Sequence, residues 1–153
     1  MHLFDKCAAF TRAREAQAVG MYPYFQRITE SQDTEVVIDG HRKVMIGSNN
    51  YMGLTHHPLV LEAAREALEV YGSGNTGSRF LNGNLDIHDL LEDELADFTG
   101  KEAALVFSTG YQTNLGAISA LVGRGDTVYL DKLGHACLQD GARLSFGQTE
   151  RFR

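Results

Sequence analysis

Cysteine and proline are scarce in this chain, two of each in 153 residues. Cys7 and Cys137 lie far apart in sequence and read neither as a disulfide framework nor as a metal-ligand pair, which points to a reducing, cytoplasmic compartment. With 43% of residues apolar and so little proline, the composition excludes wholesale disorder. No apolar run approaches the roughly 18 consecutive residues that a transmembrane segment needs. Residues 1–20 interleave charge with their apolar positions and lack the uninterrupted apolar core of a secretory signal. Basic residues are in deficit too, 14 Lys+Arg against 20 Asp+Glu for a net charge of −6. A binder of nucleic-acid phosphates needs a basic stripe, and none is visible, so no nucleic acid is expected as partner. The length suits one ordinary domain or a piece of a larger one.

Glycine, by contrast, is plentiful, with 16 residues unevenly placed. Gly72, Gly74, Gly77 and Gly83 fall within one short stretch, which marks a special backbone path. Ahead of it, the first twenty residues read as one helix with Phe4, Cys7, Ala8 and Thr11 on a face, ending at Gly20. The β-branched run Val36-Val37-Ile38, the turn dipeptide Asp39-Gly40 and Lys43–Ile46 then predict a hairpin. Pro58 opens a helix lined by Val60, Ala63, Ala64, Ala67 and Tyr71 that stops at Gly72. Asp86 reads as the N-cap of a helix with Ile87, Leu90, Leu91, Leu95 and Phe98 on its apolar stripe and Gly100 as its C-cap.

Beyond Gly100 the pattern alternates. Ala103–Phe107 reads as a buried strand, Gly110–Val122 as a helix, Asp126–Leu130 as a strand and Cys137–Leu144 as a helix. That alternation predicts an α/β fold with a parallel sheet. Two candidate strands are too few for an independent sheet, and Arg151–Arg153 begins a new segment, so the chain reads as the N-terminal portion of something larger.

Several residues could carry chemistry. The run Val106–Tyr111 hands a strand over to a helix, where free N–H groups and the helix dipole favour an anion. A plain Ser or Thr N-cap gives the same pattern. His135 follows the second strand, at the end where ligands bind in such sheets, and a helix-capping or surface histidine reads identically. His56, His57 and His88 read as structural, and the Tyr111 ring lies on an apolar stripe, where core packing is the alternative to a ring-contact role. Asp86, Asp89, Glu92, Asp93, Glu94 and Asp97 crowd one helix whose apolar stripe faces inward, which predicts a solvated outer face rather than a metal site.

The combination of motifs is more specific than any part. Ser48–Pro58 resembles the "SNDYLGL…HP" entry segment of the α-oxoamine synthases, fold-type I enzymes dependent on pyridoxal phosphate. Gly72–Arg79 with Gly83 is similar to that family's "GxGxxGSR…G" stretch, and His88–Leu95 to its "H..LE..LA" helix. Phe107–Tyr111 with Asn114, and Asp131 with His135-Ala136, complete the order.

The resemblance implies the first part of a three-layer α/β/α large domain over residues 48–153, preceded by a helical and hairpin arm over 1–47. It implies that Gly110 and Tyr111 hold the cofactor phosphate, and that His135 stacks on the pyridine ring. Asn49 would help hold the amino-acid carboxylate, and Ser78 would reach the phosphate in the partner subunit of a homodimer. The implied reaction is an acyl transfer condensing an amino acid with an acyl-CoA thioester, usually with loss of carbon dioxide. The Schiff-base lysine, the aspartate paired with the pyridine nitrogen and the carboxylate-binding arginine would lie beyond Arg153. None of Lys6, Lys43, Lys101 or Lys132 stands in the lysine motif. Val19 stands where the biotin-pathway branch has an arginine, and Tyr22–Phe25 with the glycine-rich stretch is closer to the long-chain branch. A lysine-free, non-catalytic partner subunit is the competing reading.

Overall fold

A computed structural model describes residues 2–153 and divides the chain into two units, Met1–Gly74 and Asn75–Arg153. In the first, the N-terminal helix is broken into α1 (Leu3–Ala9) and α2 (Arg12–Ala18), not the single helix expected. The break falls where Phe10 leaves helical geometry (φ −81°, ψ 91°) and Thr11 turns its hydroxyl to Glu15 at 2.5 Å. A threonine hydroxyl serves better at a helix start than in its interior. Three antiparallel strands follow, β1 (Ile28–Gln32), β2 (Glu35–Ile38) and β3 (His41–Val44), in the order β1-β2-β3.

The β2–β3 hairpin is the one its turn residues predict. Asp39 (φ 51°) and Gly40 (φ 74°) both take left-handed geometry, so the two-residue turn matches the strand twist and pairs Ile38 with His41. An Arg42–Glu35 ion pair at 2.6 Å crosses the ladder, and Val36 is buried. Strand β1 was not expected: its sequence ITESQ is polar and all five residues are exposed. Pairing to β2 through the turn at Asp33 makes it a strand. Helix α3 (Pro58–Tyr71) starts on Pro58 and ends where Gly72 turns to φ 78°.

The second unit holds α4 (Asp86–Thr99), α5 (Gly110–Leu121), β4 (Thr127–Asp131), α6 (Ala136–Leu144) and β5 (Gln148–Phe152). Strands β4 and β5 are parallel, from Thr127 opposite Gln148 to Asp131 opposite Phe152, with α6 as their connection. The small core gathers Ala96, Leu130, Cys137 and Ala142. Helices α5 and α6 pack closely because Gly141 has no side chain: a Cβ there would stand 3.0 Å from the Asn114 carbonyl oxygen. Gly100 ends α4 in left-handed geometry, as expected.

Three expectations for this unit need correction. Asp86 is the first helical residue and not the cap. The cap position is Leu85, whose N–H is taken by His88 Nδ1 at 2.9 Å. The parallel pair is β4 with β5, so the closing segment is already a strand. Among the described residues, the 103–107 run pairs with no strand. Its apolar sequence reads as a strand, but at Val106 side chains take the backbone groups a strand would use.

Those side chains belong to Arg79 and Glu92. Arg79 grips the Glu92 carboxylate with both terminal nitrogens, at 2.7 and 3.0 Å. Glu92 Oε1 also accepts from the Val106 N–H at 2.7 Å, while Arg79 Nη1 donates to the Val106 carbonyl at 3.1 Å. Arg79 Nε is held by Asn84 at 2.8 Å, and Asn84 in turn donates to Asp89. Glu92 is therefore not one of a solvated row of acids, since its side chain is only 15% exposed. One bidentate pair ties the glycine-rich loop, α4 and the segment entering α5 together.

Arg79 and the Val106 N–H hold the Glu92 carboxyl down to about 2, from 4.5. A folded-state value below the unfolded one gives stability that is present above pH 4.5 and lost as pH falls toward 2. In the protein expressed with its complete reading frame, Glu92→Gln should melt lower at neutral pH and lose less stability over that acid range. Thermal melts across pH check this, and parallel acid limbs for the two proteins would contradict it.

Large apolar side chains stand open in both units, among them Ile46, Phe80, Phe98, Leu121 and Leu133. Among the described residues, no helix is long and apolar enough to cross a membrane. Exposed apolar surface on this scale drives association. The 153-residue polypeptide by itself should bind an apolar dye and sediment as more than a monomer. A monodisperse monomer with a sharp melt would count against this.

Candidate active site

Helix α5 begins on a threonine cap. Thr109 Oγ1 accepts from the Gln112 N–H at 3.1 Å, and the Thr109 carbonyl accepts from the Thr113 N–H at 3.0 Å. That leaves the N–H groups of Gly110 and Tyr111, which among the described residues have no partner. Open space surrounds the position a Cβ would take on Gly110, so a ligand can reach the main chain. The Ser/Thr cap and the anion site, alternatives on sequence, are here compatible. The cap consumes the third N–H and leaves the first two.

Across from it, His135 is the N-cap of α6. Its Nδ1 accepts from the Cys137 N–H at 3.2 Å and lies 2.9 Å from the Cys137 Sγ. A backbone N–H only donates, so Nδ1 carries the lone pair and the neutral ring bears its proton on Nε2. Asn114 of α5 donates to the same buried sulfur at 3.2 Å. The Tyr111 ring meets His135 edge-on, 6.2 Å between centroids at 77°.

The Tyr111 hydroxyl donates to Asp140 of α6, whose other oxygen is held by Arg143 at 3.1 Å. The hydrogen bond to that carboxylate, which only the protonated phenol can donate, does most to push the phenol up, with burial and the negative charge of Asp140 adding to it. Gly110, Tyr111 and His135 are thus brought together on the seam between α5 and α6.

Ser78 lies elsewhere in the same unit. Its Oγ accepts from the Phe80 N–H at 3.3 Å and its carbonyl from Leu81, Asn82 and Gly83, so it folds the glycine-rich loop back on itself. Neither Gly77 nor Gly83 leaves room for a Cβ, which would strike the Asn82 side chain in the first case and the Gly77 carbonyl in the second, and Asn75 donates to the Gly83 carbonyl. Ser78 also borders a cavity of about 690 Å³ shared with Arg79, Leu105, Phe107, Ser108 and Gly116. His135 does not line it.

Asn49 belongs to the first unit, in a loop built from its own side chains. Asn49 Oδ1 accepts from the Tyr51 hydroxyl at 3.3 Å, Ser48 Oγ accepts from the Asn50 N–H, and Asn50 Oδ1 accepts from the Leu54 N–H. His56 Nδ1 stands 3.1 Å from Asp33, consistent with its structural reading. Sequence reasoning passed over Asp140 and the Arg79–Glu92 pair. The signal for that pair lay in two motifs, since Arg79 closes the glycine-rich stretch and Glu92 is the acid of the His88–Leu95 helix motif, whereas Asp140 gave none, being 29 residues from its partner.

The chain is similar to known proteins in sequence and in fold. Residues 41–153 match the family described as aminotransferase class I and II. A serine palmitoyltransferase of Sphingobacterium spiritivorum is 51% identical over 98% of this chain and 38% of its own length. An 8-amino-7-oxononanoate synthase of Methylococcus capsulatus is 47% identical over 98% of this chain, again 38% of its own. Among solved structures, a serine palmitoyltransferase from S. paucimobilis with bound PLP superposes with a TM-score of 0.93. It is 40% identical over 100% of this chain and 39% of its own. The chain thus spans about two fifths of the length of the relatives it matches. The α/β architecture read from the alternating pattern is theirs, and the chain belongs to the aminotransferase class I and II family.

Proposed function

We propose that this chain supplies the phosphate-holding and ring-facing part of a pyridoxal-phosphate site in an α-oxoamine synthase. The observation that carries the reading is the α5–α6 seam. Two unpartnered N–H groups, at Gly110 and Tyr111, open a helix beside the flat rings of Tyr111 and His135. A planar aromatic ring bearing a phosphate fits that donor set. When bound, this cofactor supplies an electron sink for a carbanion next to the amino-acid nitrogen.

The chain's own residues then have distinct tasks. Gly110 and Tyr111 N–H groups bind the phosphate. The His135 ring faces the pyridine, with its Nε2–H left to donate toward a substrate oxygen. Asn49 holds the amino-acid carboxylate. Ser78 reaches the phosphate of a partner subunit, which makes the protein a homodimer working in the cytoplasm. Residues 48–153 would belong to the large domain and 1–47 to an arm. The amino-acid α-carbon gives up its proton and bonds to the acyl carbon as the carbon–sulfur bond breaks, and the CoA sulfur leaves as the thiol, which accounts for that proton. Loss of carbon dioxide from the amino acid, with a proton in its place, completes the exchange.

The relatives named above and the Tyr22–Phe25 segment favour a long-chain acyl donor with serine over the biotin-pathway and glycine-acetylating branches. The presence of His135 at the seam favours the catalytic lineage over a lysine-free partner subunit.

Two variants separate the roles of His135. His135→Ala removes both ring and cap, and should weaken the fold by about 1 kcal/mol while changing the cofactor's absorption. His135→Asn restores a cap and should recover the stability but not the spectrum. Absorption spectra and melts of the protein expressed with its complete reading frame check this; a normal spectrum for His135→Asn would make the histidine purely structural. The 153-residue polypeptide alone, lacking a lysine in the family's motif, should release no ketone from amino acid and acyl-CoA. Measurable turnover would overturn that.

A further inference from the structure

Asp140 lies in the middle of α6, outside every motif read from the sequence, yet it receives the hydroxyl of Tyr111 from the facing helix. Tyr111 occupies the first turn of α5, one residue after Gly110, so its main chain carries one of the two free N–H groups. Its ring is also the edge that abuts His135. Tyr111 is 41% exposed, and beyond its edge contact with His135 the hydroxyl's bond to the carboxylate is what selects the rotamer. Arg143 holds the carboxylate in turn, at 3.1 Å on its other oxygen. The close approach of the helices at Gly141 brings the two side chains within reach.

We infer that Asp140 is a positioning residue: through the Tyr111 hydroxyl it fixes the ring that sets the place of His135 and of the first α5 turn. The inference rests on the pyridoxal-phosphate reading for its consequence, but not for the bond itself. Asp140 touches neither the free N–H groups nor the His135 ring, and acts only through Tyr111. The titratable and charged groups facing the phenol are Asp140, Cys137, Arg143 and His135. Of these, Asp140 raises the phenol's titration most and Arg143 lowers it slightly.

The test uses the protein expressed with its complete reading frame, first without cofactor and then titrated with pyridoxal phosphate. With ring-labelled tyrosine, the Tyr111 resonance should titrate higher than free tyrosine in the unaltered protein. It should fall toward the ordinary value in Asp140→Leu. Cofactor affinity should drop about fivefold to tenfold in Asp140→Leu, less than the full worth of a hydrogen bond to a charged group because Asp140 acts through Tyr111 and not on the cofactor. Asp140→Asn keeps an acceptor oxygen and should recover most of that affinity. A Tyr111 titration that stays as high in Asp140→Leu as in the unaltered protein would overturn the inference, as would equal affinity losses in the Leu and Asn variants. If Asp140→Leu does not fold, Tyr111→Phe removes only the hydroxyl and must give the same affinity loss; unchanged affinity there would also overturn it. Should the unaltered protein bind no pyridoxal phosphate, the functional reading fails, and the tyrosine titration alone still decides whether Asp140 holds the ring.

Discussion

The bidentate pair between Arg79 and Glu92 is the constraint on which the second unit is built. Glu92 alone would be an uncompensated charge, since its side chain is mostly covered, while Arg79, 29% exposed, would keep only the more distant Asp89 at 3.9 Å. Together they take both hydrogen-bonding groups of Val106 and so fix the segment that delivers Ser108 and Thr109 to the start of α5. A loop of small residues and a helix of acids become rigid partners through this pair. Where the first turn of α5 points, and what its free N–H groups can hold, follows from it.

A second economy lies in the seam between α5 and α6. His135 caps one helix and faces the start of the other, so one imidazole serves the fold through Nδ1 and leaves Nε2–H for a ligand. A cap fixes a ring's orientation and protonated nitrogen without any ligand present, which is the pre-organisation that electrostatic catalysis needs. The cost is that the residue cannot be removed without touching stability.

Much of the fold was legible because local chemistry decides it. Asp39-Gly40 specified its turn, Pro58 and Gly72 bounded α3, Gly100 closed α4, and the apolar periods located α5 and α6. What was missed is tertiary. The polar strand β1 exists only because β2 is beside it, and the apolar run at 103–107, without a ladder among the described residues, has its Val106 backbone groups held by Arg79 and Glu92. Glu92 looked like its acidic neighbours until Arg79, thirteen residues away, was brought onto it. For the site, Gly110, Tyr111 and His135 were named from motifs, and the structure sets them side by side. Asp140 and Cys137, which hold those side chains, leave no periodic or compositional trace.

The central claim is that the first turn of α5 grips a phosphate through its main chain, and Gly110→Pro tests it most directly. Proline suits the first position of a helix, and Thr109 before it already has extended geometry, φ −147° and ψ 153°. The substitution therefore deletes one N–H donor and little else. In the protein expressed with its complete reading frame, pyridoxal phosphate should bind more tightly than phosphate-free pyridoxal. Gly110→Pro should shrink that preference by about tenfold or more, the worth of a hydrogen bond to a charged group, while leaving pyridoxal binding nearly unchanged. A preference for the phosphate that survives Gly110→Pro intact would contradict the account.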